Sequence, residues 1–567
     1  MSRFIHLTAV LLLAATAVSA QPAAPAKLKI KSQPKPDREL AALAVAPDPV
    51  APATSVDWSV PYAATITPNG LRQDLTILAS DAYEGRETGK KGQKMAADYL
   101  AKAFAAAGLA GPVIGSDNLY IQHFEMNRLM LDAAASRVRV AGKIYRGTQD
   151  FYALLGQAFQ APTVVQPVFI GFGIKEEKYS DFPAGNNFKG KDVVLLMGEP
   201  LNAAGQSLVG AGGKPSAYTG ADLAGAVARQ SALAPLGARS VTFVMPSAAA
   251  FAQVPASFKP ILGREELSFA GAANNGASLN GLFVTPELGA RLLGTTVAGL
   301  DRYRKAVALA GKPVASPFKP VPATVEAMLA KSAFTTENVL GYLEGTDKKE
   351  ELVVVSAHYD HLGMKDGVVY NGADDDGSGT ASVLALARAF AQAKKDGHGP
   401  RRSLLFLANT GEEEGLLGSQ YYTDHPIFPL ENTVTNLNLD MVGRVDSLHQ
   451  GKGAYVYVVG DDKLSSELHI LSEATNQQYN PLALDYKYND PNDPEQVYYR
   501  SDHYNFAKHK IPVIYYTSGL HSDYHKPTDD VEKIDFPALA RRDQLIFHTA
   551  WTLAHRDARV VVDSAKE

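Results

Sequence analysis

Cysteine is absent from this chain of 567 residues. That excludes a disulfide framework and a lipidated cysteine. No long apolar run follows residue 20, so no internal segment reads as a membrane span. Charge of one sign is lacking as well: 55 Lys plus Arg stand against 60 Asp plus Glu, a balance of −5, and nothing argues for a polyanionic partner such as nucleic acid. There is no solenoid repeat and no Asn-x-Ser/Thr sequon.

With 46% hydrophobic and 20% charged residues, the chain is globular and long enough for two or more domains. Residues 1–20 combine Arg3, the apolar stretch Leu7 to Val18 and the small-residue ending Val18-Ser19-Ala20, the layout of a secretory signal peptide. The chain is therefore expected to be exported, to a periplasm or out of the cell, and to depend there on core packing alone. Residues 21–60, rich in Ala and Pro, read as a flexible leader. Folded structure is expected to begin near Leu71, with a helical stripe (Ala96, Ala97, Tyr99, Leu100, Ala103, Phe104) between Gly92 and Gly108.

From about Ala133 to Pro320 the texture changes to short β-like runs, broken by one clear helix-then-strand unit, Leu223 to Leu236 followed by Gly237 to Val244. This block reads as a β-rich insertion into a second domain that resumes near Glu326 and runs to about Ala554.

Short apolar runs in that second domain lead repeatedly into chemistry-bearing residues. Leu352–Val355 leads to Ser356-Ala357-His358-Tyr359-Asp360, and Ser403–Ala408 leads to Gly411-Glu412-Glu413-Glu414-Gly415. Asn436–Leu439 ends on Asp440, and Pro512–Thr517 runs into Gly519-Leu520-His521-Ser522-Asp523-Tyr524-His525. Such runs read as strands buried on both faces, and in open α/β sheets the ligand lies beyond their carboxyl ends. One sheet edge would then carry the whole constellation. Asp374, in Asn371-Gly372-Ala373-Asp374-Asp375-Asp376-Gly377-Ser378-Gly379, would sit in the loop entering the helix marked by Val383, Leu384, Ala387 and Phe390.

Two metal ions a few ångströms apart need a bridging carboxylate, terminal His or carboxylate ligands and an open position. His358, Asp374, Glu413, Asp440 and His525 meet that count with imidazole and carboxylate donors, a mixture that suits zinc, with manganese and cobalt compatible on donor type. Of the adjacent acids Glu412 and Glu413, one can bind metal while the other takes a proton from water; position alone does not assign them. His521 and His525 are four apart, yet Gly519 and Pro527 argue for a loop, and Ser522 breaks the His-Glu-x-x-His pattern. His361, His398, His425, His449, His469 and His548 read as packed or surface residues, and His503 as intermediate.

These residues resemble the M28 family of co-catalytic zinc peptidases, which includes bacterial secreted aminopeptidases and the glutamate-carboxypeptidase branch. The resemblance is carried, in family order, by Ala357–Asp360, Gly372–Gly379, Glu412–Ser419, Leu439-Asp440-Met441 and Tyr524–Asp529, and it covers roughly Glu326 to Ala554. Leu78 to Gly89 resembles the amino-terminal piece of the same domain. Phe169–Ile174 and Gly190–Leu195 make the intervening block similar to a protease-associated domain. The implied fold is α/β: a mixed, mostly parallel central sheet flanked by helices, with an inserted β-rich domain. The implied boundaries are 1–20 signal peptide, 21–60 leader, 61–132 amino-terminal part of the peptidase domain, 133–322 insert and 323–560 peptidase domain.

Position by position, the resemblance makes Asp374 the bridging ligand of two Zn²⁺. It assigns His358 and Asp440 to one metal, Glu413 and His525 to the other, and the general base to Glu412. Asp360 would orient the His358 imidazole and Tyr524 would donate to the oxyanion. Arg444 is either a pocket residue or a salt-bridged surface arginine. The implied activity is hydrolysis of peptides by an exopeptidase, foremost an aminopeptidase. The alternatives are a glutamate-carboxypeptidase-like enzyme, a glutaminyl-cyclase-like acyltransferase with a single zinc, and a non-enzymatic receptor-like protein.

Overall fold

The computed structural model describes residues 56–154, 161–182, 187–258, 262, 265–271, 280–479 and 481–564. The expected signal peptide, and the leader up to residue 55, lie outside them. The described chain divides into two compact units, 127–333 and the pair of segments 56–126 and 334–564.

The larger unit opens with the short helix Ser59–Ala63, whose Tyr62 is buried in the core, so ordered structure starts well ahead of Leu71. Helix α1 (Pro68–Leu78) is started by Thr67, whose hydroxyl accepts the Gly70 N–H, with Pro68 in the first turn. Helix α2 (Lys91–Ala107) ends on Gly108 at φ 87°, the left-handed cap that glycine adopts without strain. Then come β1 (Ile121–Leu131), β2 (Leu329–Leu343), β3 (Lys348–His358), α3 (Gly379–Lys395), β4 (Arg402–Asn409), α4 (Leu417–Asp424) and β5 (Thr433–Leu439). The unit closes with β6 (Tyr455–Val459), α5 (Ser466–Tyr479), β7 (Ala483–Asp485), α6 (His503–Lys508), β8 (Val513–Thr517) and α7 (Phe536–His555).

The sheet runs β7-β6-β8-β5-β3-β4-β2-β1. Its central strands β8, β5, β3 and β4 are parallel, with β6 and β2 antiparallel beside them. The architecture is mixed α/β. Burial on both faces explains the unbroken apolar runs. Val353, Val355, Leu404, Phe406 and Ile514 pack on one face against Leu71 and Leu75 of α1, Leu100 of α2, Phe390 of α3 and Phe547 of α7. Leu352, Val354, Leu405, Leu407 and Val513 pack on the other against Tyr422 and Phe506. Each fully buried aliphatic side chain contributes about 1.5–3 kcal/mol. These strands thus form a stiff platform whose carboxyl ends share one edge.

The smaller unit holds two sheets. One is ordered Phe151–Ala153, Asn280–Val284, Ser240–Val244, Asp192–Leu196, Pro167–Phe169, all parallel except the first. The other is antiparallel, ordered Lys143–Arg146, Arg137–Val140, Ala323–Glu326, Thr163–Val165. The unit contains more helix than its sequence texture indicates. Besides the expected Leu223–Leu233, helices Pro286–Leu292 and Val297–Ala310 bury Leu288, Leu292, Leu300, Tyr303 and Val307, with Thr285 and Thr296 as caps. No helix among the described residues is long and apolar enough to cross a membrane.

Candidate active site

Four chain segments bring titratable side chains to the carboxyl edge of the parallel strands. His358 is the last residue of β3, Glu412 and Glu413 follow β4, Asp440 follows β5, and the loop after β8 carries His521 to His525. The turn Ala373–Ser378 lies beneath them at the start of α3 and buries its three consecutive aspartates.

The three aspartates diverge because the backbone between them is not helical, with Asp375 at φ −102°, ψ 98° and Asp376 at φ −117°, ψ 49°. The Asp375 carboxylate lies between two groups: Oδ1 is 3.3 Å from His358 Nε2, and Oδ2 is 3.2 Å from His525 Nε2. Asp440 Oδ1 is 3.7 Å from His358 Nε2, and Glu413 Oε2 is 3.1 Å from His525 Nε2. Asp374 points elsewhere. Its Oδ1 accepts the Gly443 N–H at 2.6 Å and the Ser378 hydroxyl at 3.0 Å, and its Oδ2 is 3.2 Å from His521 Nε2. Asp375, and not the expected Asp374, is thus the carboxylate that faces both groups, and His521 belongs to the Asp374 network while His525 faces the site. Asp376 accepts the N–H groups of Gly379 and Met441 and fixes the turn after β5.

Asp360 holds its neighbours through two groups. Its backbone carbonyl is 3.1 Å from His358 Nδ1, and its carboxylate accepts the Thr88 hydroxyl and the Glu412 N–H. Asp360 Oδ1 lies 3.6 Å from the same Nδ1, so the carbonyl and the carboxylate of Asp360 both face the imidazole. Behind Asp440 runs a buried polar series: Ser356 donates to Asn438, Asn438 donates to Ser501, and Ser501 donates to Asp440 Oδ2 at 2.6 Å. Asp529 accepts the N–H groups of Asp374 and Asp375. Arg444 pairs with Asp523 at 2.8 Å and lies 3.5 Å from Asp529, the salt-bridged arrangement. Arg86, absent from the sequence reading of the site, is buried and donates to the carbonyls of Leu78, Tyr359, Asn371 and Gly372, tying the segment before the smaller unit to both site loops.

The electrostatics call for a cation. Burial would depress the His358 imidazole, yet the Glu412 and Asp440 carboxylates push it well above its ordinary value. The same holds for His525, which burial would lower but Glu413 and Asp375 raise to about 10. Glu413 is held down at about 2, because His525 and His361 outweigh burial and the Asp375 charge. Glu412 goes the other way: burial, with Asp440 and Glu413 nearby, lifts it well above the usual carboxylate range. His358 Nε2, Asp375 Oδ2 and Glu413 Oε1 are buried without a hydrogen-bond partner. Inward-facing nitrogen and carboxylate lone pairs left without protons to meet them are what a metal site requires, and these residues fit one. Two groups have ligand atoms close enough to share an ion: His358 with Asp375 and Asp440, and His361 with Asp375 and Glu413.

A cavity opens beside Asp375, Glu412 and Asp440, walled by Tyr488, Tyr515, Leu520, Tyr524 and Arg500. The Tyr524 ring stacks on His525 with centroids 3.9 Å apart, and its hydroxyl lies 3.4 Å from Arg500 Nη2. His503 is not part of the site; it is fully buried and stacks on Tyr515.

Residues 338–550 match the model of peptidase family M28. They form an M28 peptidase domain. Aminopeptidase YwaD of Bacillus subtilis is 37% identical over 123 residues, 21% of this chain and 25% of that protein. A probable zinc metalloprotease of Pyrenophora tritici-repentis is 28% identical over 270 residues, 40% of this chain and 53% of that protein. A vacuolar membrane protease of Aspergillus clavatus is 37% identical over 118 residues, 18% of this chain and 11% of that protein. The matches thus span from about a tenth to about half of the length of these relatives. Among solved structures, the aminopeptidase from Aneurinibacillus sp. strain AM-1 is 16% identical with a TM-score of 0.48, covering 90% of this chain and 98% of that one.

Proposed function

We propose that this chain is an exported exopeptidase working with two zinc ions, and foremost an aminopeptidase. The observation that carries the reading is Asp375, with one carboxylate oxygen toward His358 and Asp440 and the other toward Glu413 and His525. Asp375 would bridge, His358 and Asp440 would hold one ion, and Glu413 and His525 the other. Bound there, the metals would polarise the scissile carbonyl and make water nucleophilic at neutral pH.

The remaining work falls to the protein's own groups. Glu412, beside the cavity and 3.9 Å from His358 Nε2, is placed to take the proton from attacking water and return it to the leaving nitrogen. Tyr524 lines the cavity, and its hydroxyl would donate to the developing oxyanion. The series from Ser356 to Ser501 holds Asp440 in place. By sequence likeness, the unit 127–333 is assigned to the protease-associated type. Export rests on residues 1–20.

Arg500 favours a second reading. A guanidinium on the cavity wall is the chemistry that binds a free carboxylate, as a carboxypeptidase requires. One experiment separates the two: hydrolysis of a peptide series with free or acetylated amino termini and free or amidated carboxyl termini, with and without chelator. Chelator-sensitive cleavage that needs the free amine supports the aminopeptidase; a need for the free carboxylate supports the second reading. Hydrolysis indifferent to chelator refutes both.

A further inference from the structure

Arg500 is the cation of the cavity wall, where the other charged groups, Asp375, Glu412 and Asp440, are carboxylates. It pairs with none of them. Among the described residues its guanidinium makes one side-chain hydrogen bond, from Nη2 to the Tyr524 hydroxyl oxygen at 3.4 Å. A guanidinium has hydrogens to give and no lone pair to offer, so at this contact the phenol oxygen is the acceptor. The Tyr524 hydrogen is then turned away from Arg500, and no acceptor among the described residues takes it. A hydroxyl that accepts from a cation and keeps its own hydrogen unclaimed is set up as a donor. The bond accepted from the charged group also strengthens the bond that the same hydroxyl gives.

Both partners are held in place. The Tyr524 ring lies on the His525 imidazole, with centroids 3.9 Å and planes 25° apart, so the phenol cannot swing without breaking that stack. The Arg500 N–H donates to the Val497 carbonyl at 3.0 Å, closing the turn Val497–Tyr499, whose Val497 and Tyr498 are buried. The next residue, Ser501, donates to Asp440 Oδ2 at 2.6 Å. The pair thus spans the site: its tyrosine rests on a proposed ligand of one metal, and its arginine adjoins the support of a proposed ligand of the other.

We propose that Arg500 is a positioning residue for peptide hydrolysis, setting the Tyr524 hydroxyl as the donor to the developing oxyanion. The inference rests on the peptidase reading with Tyr524 as that donor, and it gives Arg500 a task other than binding a free carboxylate. Without the guanidinium the phenol is free to turn its hydrogen elsewhere, so the loss belongs to the transition state and falls on kcat. A carboxylate-binding arginine acts instead on KM, and only for substrates that end in a free carboxylate.

The test is a double-mutant cycle of R500M, Y524F and the two together, on full-length zinc-loaded protein and one peptide with a free amino terminus, its carboxyl terminus free or amidated. R500M is expected to lower kcat about 10-fold or more on both forms with KM within about 3-fold of wild type, and to add less than about 3-fold to the loss in Y524F. Losses that multiply in the double variant overturn the proposal, as does an R500M defect confined to KM for the free-carboxyl form; either leaves the peptidase reading intact. Full turnover in Y524F removes the oxyanion donor and the task of Arg500 with it, and wild-type protein that cleaves neither form sinks the peptidase reading as well. Should R500M fail to retain zinc, R500K carries the same cycle. A readout without catalysis comes from chelated protein isotope-labelled at tyrosine Cζ. The resonance missing in Y524F should move in R500M and R500K, and an unmoved resonance refutes the contact.

Discussion

Exchanging Asp374 and Asp375 for asparagine, one at a time, puts the two adjacent carboxylates to opposite tests. Asp374→Asn keeps an oxygen for the Gly443 N–H and the Ser378 hydroxyl, but its amide then faces His521 Nε2. His521 Nδ1 already accepts the Asp523 N–H, so Nε2 carries the proton and two donors confront each other. Losing one charge-assisted contact in a fully buried place costs about 1.5–3 kcal/mol, and the metals should stay. Asp375→Asn removes the one carboxylate that faces both groups, and a neutral amide cannot bridge two cations. Losing an outer partner of a ligand costs about 10–100-fold in metal affinity; losing the bridge should exceed that for both ions. Stability is read by urea denaturation of chelated protein, so that bound metal does not add its own stabilisation. Affinity is read by zinc competition with a chromophoric chelator. If D374N releases zinc while D375N holds two ions, the placement of the bridge is wrong.

Glu412→Gln should lower kcat by about two to four orders of magnitude with metal content preserved, and full turnover in metal-replete protein would remove Glu412 as the base. Ser501→Ala strips Asp440 of its 2.6 Å donor and should weaken zinc at the His358 position about 10–100-fold, seen as a shift of one phase alone in chelator competition. Arg86→Lys cannot serve four carbonyls and should cost about 3–5 kcal/mol in urea melts, since each stranded buried acceptor costs about 1–3 kcal/mol; a loss below 1 kcal/mol would contradict the assigned grip. Burial holds the His503 imidazole at about 3, so below pH 6.5 the unfolded chain binds a proton there that the folded chain refuses. Its stability contribution is whole above pH 6.5 and falls by about 2–3 kcal/mol by pH 4.5. His503→Gln should flatten that acid limb, and an unaltered slope of stability against pH would disprove it.

The parallel strands and the edge that carries the site were legible because strands buried on both faces must be continuously apolar and must end where the polar residues begin. His358, Glu412, Glu413 and Asp440 could be placed at that edge on that basis, whereas the choice of His525 over His521 came from the family resemblance alone. Which of three consecutive aspartates faces inward was not legible, since it depends on the dihedral angles of one turn and all three are buried. The place of His361 beside Glu413 was not legible because it lies past the strand end, where periodicity carries no information. Arg86 was hidden by distance, its acceptors Tyr359, Asn371 and Gly372 lying more than 270 residues away. Helices Pro286–Leu292 and Val297–Ala310 were missed although Thr285, Thr296 and the spacing of Leu300, Tyr303 and Val307 announced them.

The Arg86 grip also bears on how the chain reaches its native state. The arginine and α1 and α2 are made first, while three of its four carbonyl partners, those of Tyr359, Asn371 and Gly372, arrive only after residues 127–333 have been synthesised. Closing a loop of that length through an unstructured chain costs about 5 kcal/mol in entropy. The smaller unit can remove that cost beforehand. Near its two ends, the Asp132 N–H donates to the Met328 carbonyl at 2.8 Å, and strand Ala323–Glu326 pairs with Arg137–Val140. Once folded, it knots its own entry and exit together, and the two halves of the peptidase domain then meet as though no residues stood between them. Damage to the Ala323–Glu326 pairing would therefore surface as slow assembly of a zinc site to which it contributes no atom.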